Sequence, residues 1–219
     1  MGRSIRVGLL SIAALSLGVS VRAQCGNSIG AKGGVNLGKS SFSGGSTGVT
    51  SDDSRRTGLA AGVVINGECF EHFAVQLEGL YVRRETKFLV PATDVGPAIT
   101  ALYKVDWIDF PLSAMGLFNS SGEKFRPFIF AGVDFAARFR AKSENTSDGV
   151  TREFDAKSQV KKSMFSVFGG AGAKFRTGEK FWLTLDGRYV YGLTNISPDS
   201  HQKWKNRDLQ FLGGFLWVI

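Results

Sequence analysis

The stretch FRPFIFAGVDFAARFRAK, residues 125–142, alternates with a period of two along its length. Its odd positions, Phe125, Pro127, Ile129, Ala131, Val133, Phe135, Ala137, Phe139 and Ala141, are all apolar. Its even positions include Arg126, Asp134, Arg138, Arg140 and Lys142. Successive side chains of a strand point to opposite faces, so this segment reads as one long strand with an apolar face and a mixed, charged face.

The same alternation recurs along the chain. Ile29, Ala31, Val35 and Leu37 oppose Lys32 and Asn36, and Leu59, Ala61, Val63 and Ile65 share one face of 57–66. Phe73, Val75, Leu77 and Tyr81 oppose Gln76 and Glu78, and Phe165, Val167, Ala171 and Phe175 oppose Ser166 and Lys174. Phe181, Leu183, Leu185, Tyr189, Tyr191 and Leu193 oppose Thr184, Asp186, Arg188 and Thr194. The last segment aligns Leu209, Phe211, Phe215, Trp217 and Ile219. Only 101–118, the remaining one of eight such segments, changes parity midway, which places a β-bulge or the rim of a membrane near Asp106–Trp107.

The connections alternate long and short: 39–56, 66–70, 88–100, 119–124, 143–157, 177–180 and 196–206. The short ones, NGEC, NSSGEK and TGEK, carry turn chemistry. The long ones are polar. Eight strands joined in this way predict an all-β fold, an eight-stranded antiparallel up-and-down transmembrane β-barrel with short periplasmic turns and long extracellular loops. Parity alone does not say which face is inside, and a soluble barrel of the lipocalin kind is the structural alternative. The balance of residue types decides for the membrane. The apolar face is continuous and rich in Phe and Tyr, whereas the other mixes glycine with charges of both signs. An eight-stranded barrel has an interior just wide enough for side chains to fill. A slip of the 125–142 strand by one residue would turn Asp134 or Arg138 to hydrocarbon, at about 2–4 kcal/mol for a basic residue near the midplane.

The N-terminus supports export. Arg3 and Arg6 precede the apolar run 7–21, and VRA (21–23) fits a cleavage site before Gln24. Residues 1–23 therefore read as a signal peptide and 24–219 as one barrel domain. Arg22 and Gln24 do not suit a lipidation site at Cys25. Losing Arg3, Arg6 and Arg22, and no acid, lowers the formal charge from +8 to +5, far from a nucleic-acid footprint. The two cysteines, Cys25 and Cys69, are either a pair or two unrelated thiols on composition alone.

Three segments in order, IGAKGGVNLG, then VDWIDFPLSAMGLF with KFRPFIFAGVDF, then LDGRYVYGLTNIS with NRDLQFLGGFLWVI, resemble the PorT-like outer-membrane β-barrel family of Gram-negative bacteria. The resemblance spans the mature chain and implies an eight-stranded barrel with both termini periplasmic. It implies no single activity. The chain departs from the common aromatic ending, since Phe215 and Trp217 precede Ile219. With a periplasmic N-terminus, Cys25 and Cys69 fall at one rim in an oxidising compartment, and a disulfide between them is expected.

On this reading Glu78, Asp109, Asp134, Arg126, Arg138, Asp186 and Arg188, with Lys32, Gln76 and Lys174, face the lumen. Charges in so narrow a space must find partners, so a mutually paired plug is favoured over a polar channel. Asp186 and Arg188 are neutralised in it by Glu78, Asp134 and Arg138. Catalysis is not expected: His72 and His201 fall at opposite ends, and no G-x-S-x-G elbow occurs. CFEH (69–72) has too few ligands for a metal site, and no cofactor is implied. Trp107, Trp182, Trp204 and Trp217 are expected to form interfacial girdles. The function expected is structural or interaction-based, with no enzymatic activity. The expected partners are outer-membrane lipid and lipopolysaccharide, the outer-membrane assembly machinery, and a protein met through the outer loops. A narrow channel, an accessory barrel of a secretion or uptake assembly, and a rim enzyme around His201 and Asp199 are the alternatives.

Overall fold

The computed structural model describes residues 26–43, 50–51, 55–90, 99–147, 150–198 and 203–219. The leader 1–23, Cys25, Asp199 and His201 lie outside them. Ten strands form one sheet: β1 (Gly26–Ser43), β2 (Thr50–Ser51), β3 (Arg56–Phe70), β4 (Phe73–Val90), β5 (Ile99–Leu117), β6 (Phe125–Ser147), β7 (Val150–Asp155), β8 (Ser163–Arg176), β9 (Phe181–Gly192) and β10 (Lys203–Val218). Eight of them, all but β2 and β7, close into an antiparallel ring. β1 pairs with β10 at Gly33–Gly213, joining the two ends of the chain and leaving the ring without an edge. No described helix is long and apolar enough to cross a membrane.

Short connections gather at one end, the turn end, and long ones at the other, the loop end. The first turn differs from expectation. NGEC does not turn: β3 runs on to Phe70 with an irregularity between Glu68 and Phe70, and the chain reverses at Glu71–His72. The turns at NSSGEK and TGEK stand between strands as the sequence predicts. The β4–β5 ladder skips the step between Leu77–Leu112 and Leu80–Asp109. Pro111 lies in that step and has no N–H to donate.

The expected bulge is present at Asp106–Trp107, but the extra residue belongs to β6. Asp106 faces Arg140 and Trp107 faces Arg138, which leaves Phe139 unmatched. β5 keeps its inward parity, burying Val105, Trp107 and Asp109 in turn, and Asp106, paired with Arg83, is buried between the first two. β6 changes phase, so Ala141 is buried rather than sharing the outer face with Phe135. Beyond the bulge β6 extends past the barrel and pairs with β7, whose residues are all exposed.

The outer face carries Leu59, Val63, Ile65, Leu112, Ile129, Phe135, Leu185 and Phe211, all exposed. In a chain that folded in water such a belt would be a large aggregation surface, whereas in lipid it is the solvent-matched face. Inside, some glycines are required by close strand approach. A Cβ on Gly34 would stand 2.0 Å from the carbonyl oxygen of Phe211. Aromatic rings cover others: Phe130 lies over Gly170 and Phe168 over Gly132, so large and small residues interdigitate across the lumen.

Candidate functional site: the charged lumen

Three layers stand out along the barrel, with apolar side chains such as Phe128, Phe168 and Leu212 packed among them. At the loop end Phe88, Trp107, Val160, Met164, Ile196 and Trp204 form an apolar cap. Phe88, Tyr103 and Trp204 meet edge to face at 5.2–5.6 Å. Edge-to-face contact is a favourable geometry for aromatic rings.

The middle layer is ionic. Lys32 donates to Asp186 Oδ2 at 2.6 Å and to Glu78 Oε1 at 3.1 Å, and Gln76 Nε2 donates to the same Glu78 oxygen at 2.6 Å. Arg188 Nη2 lies 2.7 Å from Glu78 Oε2, a close ion pair whose donor and acceptor are not aligned for a hydrogen bond. Its Nε is 4.0 Å from Asp186 Oδ1, and its guanidinium covers the Phe168 ring at 5.6 Å. Arg84 grips Asp109 with two bonds, at 3.1 and 2.7 Å, and donates from Nε to Asp208 at 2.5 Å. The fork of a guanidinium matches two carboxylate oxygens, which fixes orientation as well as charge. Lys32, Arg84 and Arg188 thus link β1, β4, β5, β9 and β10 through buried side chains.

The third layer sits at the turn end. Glu68 receives Lys174 at 2.8 Å and also Arg126 Nη1. Lys174 reaches Asn66 Oδ1 at 2.9 Å, and Arg126 donates to the carbonyls of Glu71 at 2.7 Å and Asn119 at 3.1 Å. A cavity of about 190 Å³ opens beside these residues, bordered by Ser28, Arg176 and Trp182.

The structure places six of the seven expected lumen charges inside: Glu78, Asp109, Asp134, Arg126, Asp186 and Arg188 are all buried. They divide between two layers, Arg126 joining Glu68 at the turn end. Asp134 is 2% exposed and its Oδ1 accepts no hydrogen bond, while its carboxyl lies within the electrostatic reach of Arg84 and Arg188. Arg138 does not enter the cluster. It is half-buried at the bulge and donates to the carbonyls of Lys157 and Val160, tying the segment after β7 to the rim. Arg84, Asp208 and Glu68 are not among the expected lumen charges, although Arg84 and Asp208 share the inward parity of Val82 and Gln210.

Three of the four expected girdle tryptophans are inside. Trp107 and Trp204 belong to the cap, and Trp182 faces the turn-end cavity, leaving Trp217 exposed. Each of the three occupies an inward position of its strand, where the apolar cap or the cavity receives it.

Among the described residues, no group of three or more His, Cys, Asp and Glu side chains converges as metal ligands. His72 stands at the turn end with Nδ1 3.0 Å from the Leu117 carbonyl. Cys69 is engaged in a disulfide, and Cys25 is the only other cysteine of the chain. On the β6–β7 hairpin, the hydrogen bond from Lys142 holds the Glu153 carboxyl below the usual carboxylate range.

A closed ring of eight antiparallel strands, apolar outside and ion-paired inside, defines an outer-membrane β-barrel of Gram-negative bacteria. The family model described as outer membrane protein beta-barrel domain matches residues 23–197, and the chain belongs to that family. Among solved structures it is similar to the outer membrane protein OprG from Pseudomonas aeruginosa, at 12% identity over 89% of this chain and 96% of that one, with a TM-score of 0.54. It is also similar to the outer membrane protease OmpT from Escherichia coli, at 8% identity over 90% and 98%, with a TM-score of 0.52. Neisserial surface protein A matches at 11% identity over 88% and 97%, with a TM-score of 0.48. The likenesses to OprG and OmpT are of fold alone. No curated protein matches the sequence significantly.

Proposed function

We propose that this barrel is a closed structural and interaction protein of the outer membrane, without a conducting pore and without enzymatic activity. The single observation that carries the reading is the filled interior: an apolar cap and two ionic layers occupy successive levels of the lumen. Eight strands leave no room for a water column beside such a filling. The histidine of the described region supports the non-enzymatic reading, being held at the turn end by Leu117.

Both termini are periplasmic in this proposal, and the loop end is extracellular. The clustering of short turns at the end where β1 begins and β10 finishes supports that orientation. The narrower PorT-like assignment rests on the three ordered motifs. The β10 strand, with Phe215 and Trp217 near its end, is the segment proposed to meet the assembly machinery. Lipopolysaccharide and a protein partner are met at the loop end, where the β6 bulge exposes Phe139 and the β6–β7 hairpin exposes Val150 and Phe154.

A photo-crosslinking residue at Phe154, compared with one at the belt position Leu185, tests the interaction role in native membranes. A discrete protein adduct from position 154 and none from 185 is expected. No protein adduct from position 154, or an equal adduct from 185, would overturn the interaction half of the proposal.

A further inference from the structure

The rim above the apolar belt is not electrically uniform. On β4, β5 and β6 three outward cations have carboxylates of their own. Arg83 donates to Asp106 at 2.8 Å, Lys104 to Glu144 at 2.6 Å, and Lys142 to Glu153. Across the barrel, on β9 and β10, the arrangement is different. Arg207 and Lys205 flank one ring, Tyr191, at 5.6 and 6.0 Å. The carboxylates of β9 and β10 are Asp186 and Asp208, the neighbouring β1 has none, and both acids are buried in the lumen.

Two cations are therefore brought to one ring on the outer surface, while the acids of their own strands point the other way. A ring can attract cations but cannot neutralise them. Height on the barrel identifies what can. The next outward row down from Arg207 and Tyr191 is Leu209 and Tyr189, with Leu37 of β1 beside Leu209, one dyad lower. Below it lie Val35 and Phe211, in the apolar belt. A dyad of strand is about 6–7 Å, so the cations stand just above the hydrocarbon boundary. A dissolved anion would not need that belt, whereas a lipid would place its phosphate against the cations and its chains against Leu37, Leu209 and Phe211.

We infer that Lys205, Arg207 and Tyr191 form a binding site for the phosphate of an anionic membrane lipid on the β9–β10 face. The site needs only the membrane-barrel fold, and stands whether or not the lumen is closed.

Native mass spectrometry of the full chain in zwitterionic detergent tests the site. The probes are a diacyl phosphatidic acid, a phosphatidylcholine of the same chains, and inorganic phosphate. The wild type should retain phosphatidic acid roughly 20–30-fold better than K205Q/R207Q, from about 1 kcal/mol per basic residue near an anionic surface. K104Q/K142Q, which alters the self-neutralised face, should bind as the wild type does. Equal retention of both lipids by the wild type, or unchanged retention by K205Q/R207Q, would overturn the site. So would an equal loss in K104Q/K142Q, which would reduce the effect to overall charge. Displacement of the lipid by equimolar inorganic phosphate would assign the site to a free anion instead. Heat-modifiable gel mobility shows whether each variant is folded.

Discussion

Lys32 of β1 and Asp186 of β9 meet at 2.6 Å inside the barrel, reaching past β10, the strand that separates their backbones. Backbone ladders hold each strand to its two neighbours. Ion pairs of this kind hold strands that are not neighbours, and so add cross-bracing to the ring. Their strength depends on completeness, because a buried charge deprived of its partner keeps its desolvation cost.

Replacing Lys32 with Met should therefore destabilise the barrel by about 3–5 kcal/mol. The double variant Lys32→Met with Asp186→Leu should recover a good part of the loss, since both charges leave together. Urea titration followed by heat-modifiable mobility measures both midpoints. An unchanged midpoint for Lys32→Met would contradict the bracing role.

Adjacent glycines should behave in opposite ways. At Gly34, which faces the lumen, an alanine methyl would stand 2.0 Å from the Phe211 carbonyl oxygen, whereas at Gly33 the nearest atom would be 3.8 Å away. Gly33→Ala should assemble normally, and Gly34→Ala should lower the yield of folded barrel sharply. Equal yields in a quantitative refolding assay would mean that β1 and β10 can separate to admit the methyl.

A one-residue deletion in a membrane strand normally turns every following side chain to the wrong face. Phe139 should be the exception. Arg138 already faces Trp107 and Arg140 already faces Asp106, so deleting Phe139 joins two residues whose partners are consecutive. The deletion should fold with close to wild-type yield, while deletion of Val133 should not. Loss of folded protein in both would show that the bulge itself is needed.

The unreduced protein should yield no reactive thiol, and two after reduction in denaturant, from Cys25 and Cys69. Cys69 is already engaged in a disulfide, and no third cysteine exists. Removing a native disulfide commonly costs about 2–5 kcal/mol, so the reduced barrel should unfold at lower urea.

Much of this architecture is legible from period-two alternation, because a strand with lipid on one side and packed charge on the other leaves a strict pattern. Glu78, Asp186 and Arg188 read as inward by that rule alone. Arg84 obeys the same rule, but it sits beside Arg83 in a charged run that looks like a loop margin in one dimension. The misplaced tryptophans have a different cause. Trp182 and Trp204 have inward parity, and the preference of Trp for interfaces points against the pattern. Arg138 cannot be placed from β6 alone, since the phase change at Phe139 becomes visible only against β5. Which carboxylate each cation meets depends on ring curvature and is absent from a linear sequence, as the pairing of Lys32 with Asp186, 154 positions away, shows.

Single-channel recording of the purified barrel in planar bilayers tests the closed lumen most directly. The wild type should insert without conductance steps across the usual voltage range, because the cap of Trp107 and Trp204 and the ion pairs of Lys32, Arg84 and Arg188 fill the bore. Stable, ohmic steps from folded wild-type protein would contradict the plugged barrel.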